Sequence, residues 1–333
     1  MSGLPTTHES SWRQSFQSTL ALASMGMKKP RFYIAATVGA LLLLLFWTIH
    51  TSDTSLAELE VPSVTLDFHS SPFNSSRLAL LVENRKMPNL VPLMLHMMSV
   101  VPPEWRFNFM GSEESVAQMN GSAAIRRHVS SGKLDLTLVP SNMSVASAEE
   151  ISQFFTTLWL YDTVLAPAEH LFVFQTDSIL CANSEQSLND WIDYDWIGAP
   201  WMPEDRWGGN GGLSLRRVSA IKEILQHQER RVDSQAEDGW LSDRLAARPG
   251  ARVANASESG RFSSETLFSE RPMAYHIGGS GTMMPAALHP KKNRQQIYEY
   301  CPEFKLILEV MDVDGRIPEG CALGDTHFDD GSY

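Results

Sequence analysis

Hydrophobic and polar positions along this chain fall into three regimes. Residues 32–49 carry no charge, and Leu41 to Leu45, Phe46 and Trp47 form their centre. As a helix those eighteen residues span roughly 27 Å, enough for a thin bilayer core. Residues 50–76 are rich in Ser, Thr and Pro with little periodicity, and read as a stem. From residue 77 short apolar runs alternate with amphipathic stretches, the pattern of a packed domain that extends to residue 319. Residues 320–333 read as a loosely ordered tail.

Within the packed region, residues 78–82, 105–110 and 134–139 have the apolar, β-branched and aromatic make-up of strands. A helix over 88–100 puts Leu90, Leu93, Met94 and Met97 on one face, and a second covers 115–128. A third, over 148–165, leads to a buried strand at 171–174. A short helix at 188–191, a strand and turn over 194–201 and an amphipathic helix over 218–230 follow. Strands separated by helical stretches of about 10–15 residues predict βαβ units. The expected fold class is therefore α/β, a mostly parallel sheet flanked by helices and preceded by a single transmembrane helix.

Charge orients the membrane segment. The first 31 residues carry a net +3, which leaves −15 of the total −12 to the remainder. Lys28, Lys29 and Arg31 before the apolar run, and Asp53, Glu58 and Glu60 after it, predict a cytosolic tail over 1–31 and a signal anchor over 32–49. Everything downstream then lies across the membrane, in the endoplasmic reticulum or Golgi lumen. Asn74, Asn120, Asn142 and Asn255 head glycosylation sequons, all beyond the anchor. An acidic domain argues against a nucleic-acid partner. Three cysteines, Cys181, Cys301 and Cys321, make no disulfide framework; one bridge, Cys301 to Cys321, is an available pairing.

The candidate chemistry starts where the strand at 171–174 turns abruptly polar, at Gln175-Thr176-Asp177-Ser178. In an open α/β sheet ligands bind beyond the carboxyl ends of strands, and a carboxylate there suits a hard divalent cation that also touches phosphates. Four more stretches follow: the glycine run Gly208 to Arg216, which by itself reads as a turn; Glu237-Asp238, two acids ahead of an apolar helix; Phe268-Ser269-Glu270; and His276. A carboxylate at Asp238 is placed to act as general base towards a hydroxyl. An imidazole beside Asp177 would complete an oxygen and nitrogen donor set suited to Mn²⁺.

In this order the motifs resemble an uncharacterised, largely fungal glycosyltransferase-like family, similar in layout to GT-A enzymes of the fringe and β1,3-galactosyltransferase kind. The resemblance runs over about residues 76–285, and the quoted stretches carry it: Phe174 to Asp177, Tyr194 to Trp201, Gly209 to Arg216, Glu237-Asp238 and His276. It implies a GT-A-like nucleotide-diphospho-sugar transferase fold and a type II membrane glycosyltransferase. Such an enzyme moves a sugar from a nucleotide-sugar donor to a hydroxyl on a glycan, protein or small-molecule acceptor. The resemblance also implies Mn²⁺ or Mg²⁺ on Asp177 and His276, and donor contacts from Gln175, Asp177, Arg85, Gly211, Gly212 and Ser214. Asp238 with Glu237 would supply the catalytic carboxylates. The family's Asp-x-Asp is Gln175-Thr176-Asp177 here, with only its last acid kept. A lumenal glycan- or nucleotide-binding protein without turnover is the alternative.

Overall fold

A computed structural model describes residues 29–51 (side chains at 37–48), 71–201, 207–278, 288 and 290–308. The chain divides into two units, residues 1–67 and 68–333.

The first unit holds one described helix, α1 (Lys29–Thr51), across the expected anchor. Among its described side chains Val38 and residues 41–47 are exposed. Residues 37–48 cover roughly 18 Å as a helix, and among the described residues no helix is long and apolar enough to cross a membrane. The expected cytosolic tail up to residue 28, most of the stem and the C-terminal tail lie outside the described residues.

The second unit is a mixed α/β fold around a six-stranded sheet. In chain order β1 (Asn74–Val82), α2 (Leu90–Val100), β2 (Trp105–Gly111), α3 (Glu113–Gly121), α4 (Ala123–Ser130) and β3 (Leu134–Leu138) come first. Next are α5 (Ala148–Phe155), β4 (His170–Phe174), β5 (Ser178–Leu180), β6 (Trp196–Ala199), β7 (Asn210–Arg217), α6 (Val218–Leu225) and α7 (Glu237–Ala246). Then come α8 (Ala256–Phe262), β8 (Ser263–Ser264), β9 (Ala274–His276) and α9 (Lys291–Tyr300). Strands β1 to β4 pair in parallel, and β7 is antiparallel to both β4 and β6. A smaller sheet, β5-β9-β8, joins the stretch after β4 to His276.

Period-two patterning explains why the sheet is covered on both faces. Leu78 and Leu80 of β1 and Leu171 and Val173 of β4 pack into one core. Their neighbours Ala79, Leu81, Phe172 and Phe174 pack into the other. Burying each such Leu, Val or Phe contributes roughly 1.5–3 kcal/mol, so both layers fix β1 against β4.

The differences from expectation have local causes. The helix expected over 115–128 is two, because Ser122 ends α3 and its hydroxyl accepts from Ile125 N to start α4. The helix expected over 148–165 stops at Phe155. There Thr156 and Thr157 donate their hydroxyls to the carbonyls of Ser152 and Gln153 four residues back, which competes with the helical ladder. Strand β1 begins at Asn74, inside the expected stem. Cys301 is bonded to Cys181, not to Cys321, closing a span of 120 residues that ties α9 to the end of β5.

The largest departure is β7. Its glycines read as a turn, yet Asn210–Arg217 is a central strand, buried from Gly211 to Arg216. Gly198 and Gly209 explain the fit. A Cβ on Gly209 would sit 2.5 Å from the Gly198 carbonyl oxygen, so strands β6 and β7 approach too closely there for side chains.

Candidate functional site

From β1 the chain winds outward to β2 and β3, then crosses back to place β4 on the other side of β1. That reversal is where open α/β sheets take ligands, beyond the carboxyl ends of the strands. A cavity of about 540 Å³ lies there, walled by residues 82–85 after β1, residues 173–177 at the end of β4, and the start of α5.

Its polar groups come from the two strand ends. Glu83 is buried and accepts the backbone N–H of Arg85 at 2.7 Å and its side-chain Nε and Nη2 at 2.9 and 2.7 Å. The hydrogen bond to Glu83 holds the Arg85 guanidinium above its usual pKa, and the negative field of Asp177 adds to it. Arg85, Gln175 and Asp177, three of the residues singled out in the sequence, all line this cavity.

His276 joins Asp177 through the small sheet, where β9 sets it opposite Ser178. Its Nε2 lies 3.4 Å from Asp177 Oδ1, and its Nδ1 lies 3.1 Å from Glu265 Oε1. All three side chains are buried or nearly so. Burial alone would lower the imidazole's pKa, but the two carboxylates override it and push it up to about 10. Gly212 makes room for the group. A Cβ there would sit 2.3 Å from Gln175 Oε1 and 2.8 Å from His276 Nε2. Glu265 carries no sequence signal. The motif residue Glu270, five positions on, is exposed and outside the cluster.

Gly211, the preceding residue, faces a different set. A Cβ there would meet Glu237 Oε1 at 2.3 Å and Arg216 Nη2 at 2.8 Å. Arg216 is fully buried, with Phe155 and Trp196 rings 4.7 and 4.3 Å from its Cζ. Its Nη2 donates to Glu237 Oε1 at 3.0 Å and to the Gly211 carbonyl at 2.9 Å. Burial pushes Glu237 up to about 7 against the pull of Arg216. Asp238 is half-buried at the start of α7; Oδ2 accepts Gly211 N–H at 3.0 Å and Oδ1 accepts Gly239 N–H at 2.7 Å.

Two of the expected contact residues are therefore internal. Ser214 is fully buried, and its hydroxyl is spent on Arg216 Nε and the Gly211 carbonyl, so it faces no ligand. Glu237, expected as a catalytic carboxylate, is buried and accepts from Arg216. Arg216 had no separate signal in the sequence; a charge at an inward position of an apolar strand would have been one.

Residues 133–276 match the profile of a family described as a protein of unknown function, DUF5672. That span ends on His276 and holds every residue of both clusters, but not Arg85. No curated protein matches the chain. Among solved structures, the chain is similar to the apo-form glycosyltransferase GlyE from Streptococcus pneumoniae TIGR4, with 10% identity, TM-score 0.41, and 68% of this chain and 60% of that one covered. It is also similar to the mannosyltransferase PcManGT from Pyrobaculum calidifontis, in complex with GDP-Man and Mn²⁺, with 10% identity, TM-score 0.37, and 57% and 59% covered. A third is Core-mannan synthase A (CmsA/Ktr4) from Aspergillus fumigatus in its Mn/GDP form, with 9% identity, TM-score 0.38, and 68% and 85% covered. The chain spans about 60% of the length of the first of these.

Proposed function

We propose that the second unit is a glycosyltransferase that takes a nucleotide-sugar donor into the cavity between the ends of β1 and β4. The observation that carries this reading is that Gln175 and Asp177, at the end of β4, line that cavity together, with Gln175 against Gly212 and Asp177 beside His276. The cavity volume suits a nucleotide-sized ligand, since small-molecule sites occupy about 300–1,000 Å³.

A divalent cation, Mn²⁺ or Mg²⁺, fits the cradle over Gly212. Among the described residues the one group of three His, Cys, Asp or Glu donors within reach of a single ion is Cys181, Cys301 and Glu303, whose sulfurs are joined to each other. Beside Asp177 and His276 the Gln175 amide oxygen would be the third protein donor, a neutral ligand in place of an acid. The cation would supply charge compensation for the diphosphate leaving group. Arg85, held in place by Glu83, adds positive charge at the same wall. The Asp238 carboxylate accepts the proton of the acceptor hydroxyl as that oxygen attacks the donor sugar, and Glu237 with Arg216 keeps it in place.

Membrane anchoring through residues 32–49, with the second unit in the secretory lumen, belongs to the same reading. The charge asymmetry around the apolar run supports it, and so does the buried Cys181–Cys301 bridge, since disulfides persist in oxidising compartments.

One observation favours the reading without turnover: both oxygens of Asp238 already accept backbone N–H groups. The first test is binding. Thermal melting of residues 55–333 should rise with a nucleoside diphosphate plus Mn²⁺, and less with either alone. No shift with uridine or guanosine diphosphate at any Mn²⁺ concentration would remove the donor site from the account.

A further inference from the structure

We propose that Glu265 is a positioning residue for the cation site, orienting the imidazole of His276 so that Nε2 faces Asp177 and Gln175. The inference rests on the cation reading above and adds a residue that no motif marks.

Three observations carry it. First, the two nitrogens of His276 face two different carboxylates, Glu265 Oε1 at 3.1 Å from Nδ1 and Asp177 Oδ1 at 3.4 Å from Nε2. Asp177 and Gln175 line the cavity and Glu265 does not, so the Nε2 side faces the ligand space and the Nδ1 side faces a partner behind it. Second, Gly212 lets Gln175 Oε1 approach the Nε2 side, since both atoms lie within 3 Å of the position its missing Cβ would fill. Third, Glu265 is held from its own loop: the neighbouring Ser264 hydroxyl donates to the Leu267 carbonyl and accepts the Ser269 N–H. A carboxylate on the far nitrogen fixes the tautomer and raises the basicity of a metal-bound imidazole, and its loss costs about 10–100-fold in metal affinity.

The test is a Mn²⁺ titration of residues 55–333 followed by electron paramagnetic resonance of the free ion, which needs no activity. Wild type should bind, and Asp177→Ala should lose the site. Glu265→Ala should bind about 10–100-fold more weakly. Glu265→Gln, which keeps an acceptor for the Nδ1 proton, should fall between wild type and Glu265→Ala. Thr266→Ala, which cuts the loop's hydrogen bond to the Pro200 carbonyl without touching His276, should match wild type. Equal affinity in wild type and Glu265→Ala overturns the inference and leaves the cation reading standing. An equal loss in Thr266→Ala also overturns it, because loop integrity alone then sets the affinity. Absence of Mn²⁺ binding in wild type removes both.

Discussion

Asp238 Oδ2 accepts the backbone N–H of Gly211 at 3.0 Å, which ties the first turn of α7 to the glycine pair of β7. The contact joins the two clusters, because the next residue, Gly212, is the floor under Gln175 and His276. If Asp238 is the base, Asp238→Asn should keep this hydrogen bond through its amide oxygen and lose proton acceptance together with the local bond from Gly239 N–H. The expected result is a kcat lower by about 10²–10⁴-fold with little change in donor KM, read by steady-state kinetics. A parallel rise in donor KM would mean that the tie, not the base, was lost.

Gly212→Ala tests the cradle. Its Cβ would overlap Gln175 Oε1 at 2.3 Å, so the amide must swing away from His276. Overpacking of this kind costs about 1–3 kcal/mol, which urea denaturation can measure. Mn²⁺ binding should fall by more than that folding loss accounts for, since the surviving fold lacks one donor.

The loop ahead of α7 is fastened by Arg230, which donates to Glu149 Oε1 and Oε2 at 2.9 and 2.5 Å and to the Gln235 carbonyl at 2.7 Å. Hydrogen bonds from Arg230 and then Gln153 hold the Glu149 carboxyl down at about 2, from an ordinary 4.5. A depressed folded pKa stabilises above the unfolded value and is lost as pH falls through the folded one. The stability difference between wild type and Glu149→Gln should therefore be full above pH 4.5 and vanish towards pH 2. Chemical denaturation at a series of pH values measures it; a difference that stays constant across the window contradicts the assignment.

Much of the frame was legible because it rests on local periodicity. The strands at β1, β2, β3 and β4 and the polar break at Gln175 to Asp177 are visible in the order of apolar and polar residues, and the acids at 237 and 238 do open a helix. What stayed hidden depends on contacts between distant segments. Strand β7 reads as a turn because its glycines lower strand propensity, and only the close approach of Gly198 and the side chains over Gly211 and Gly212 explains them. Arg216 is hidden because its buried charge is matched by Glu237, 21 positions on. Glu265 and the Cys181–Cys301 pairing are set by the small sheet β5-β9-β8 and the α9 segment, which no periodicity announces.

In the proposed glycosyl transfer Asp177 stands at the diphosphate of the sugar donor. Residues 55–333, expressed in a secretory host, should be assayed for nucleoside diphosphate release from a panel of uridine- and guanosine-diphosphate sugars, with Mn²⁺ and with chelator. Release should need the cation and disappear in Asp177→Ala. Release from Asp177→Ala at the wild-type rate, with or without chelator, would contradict that role for Asp177.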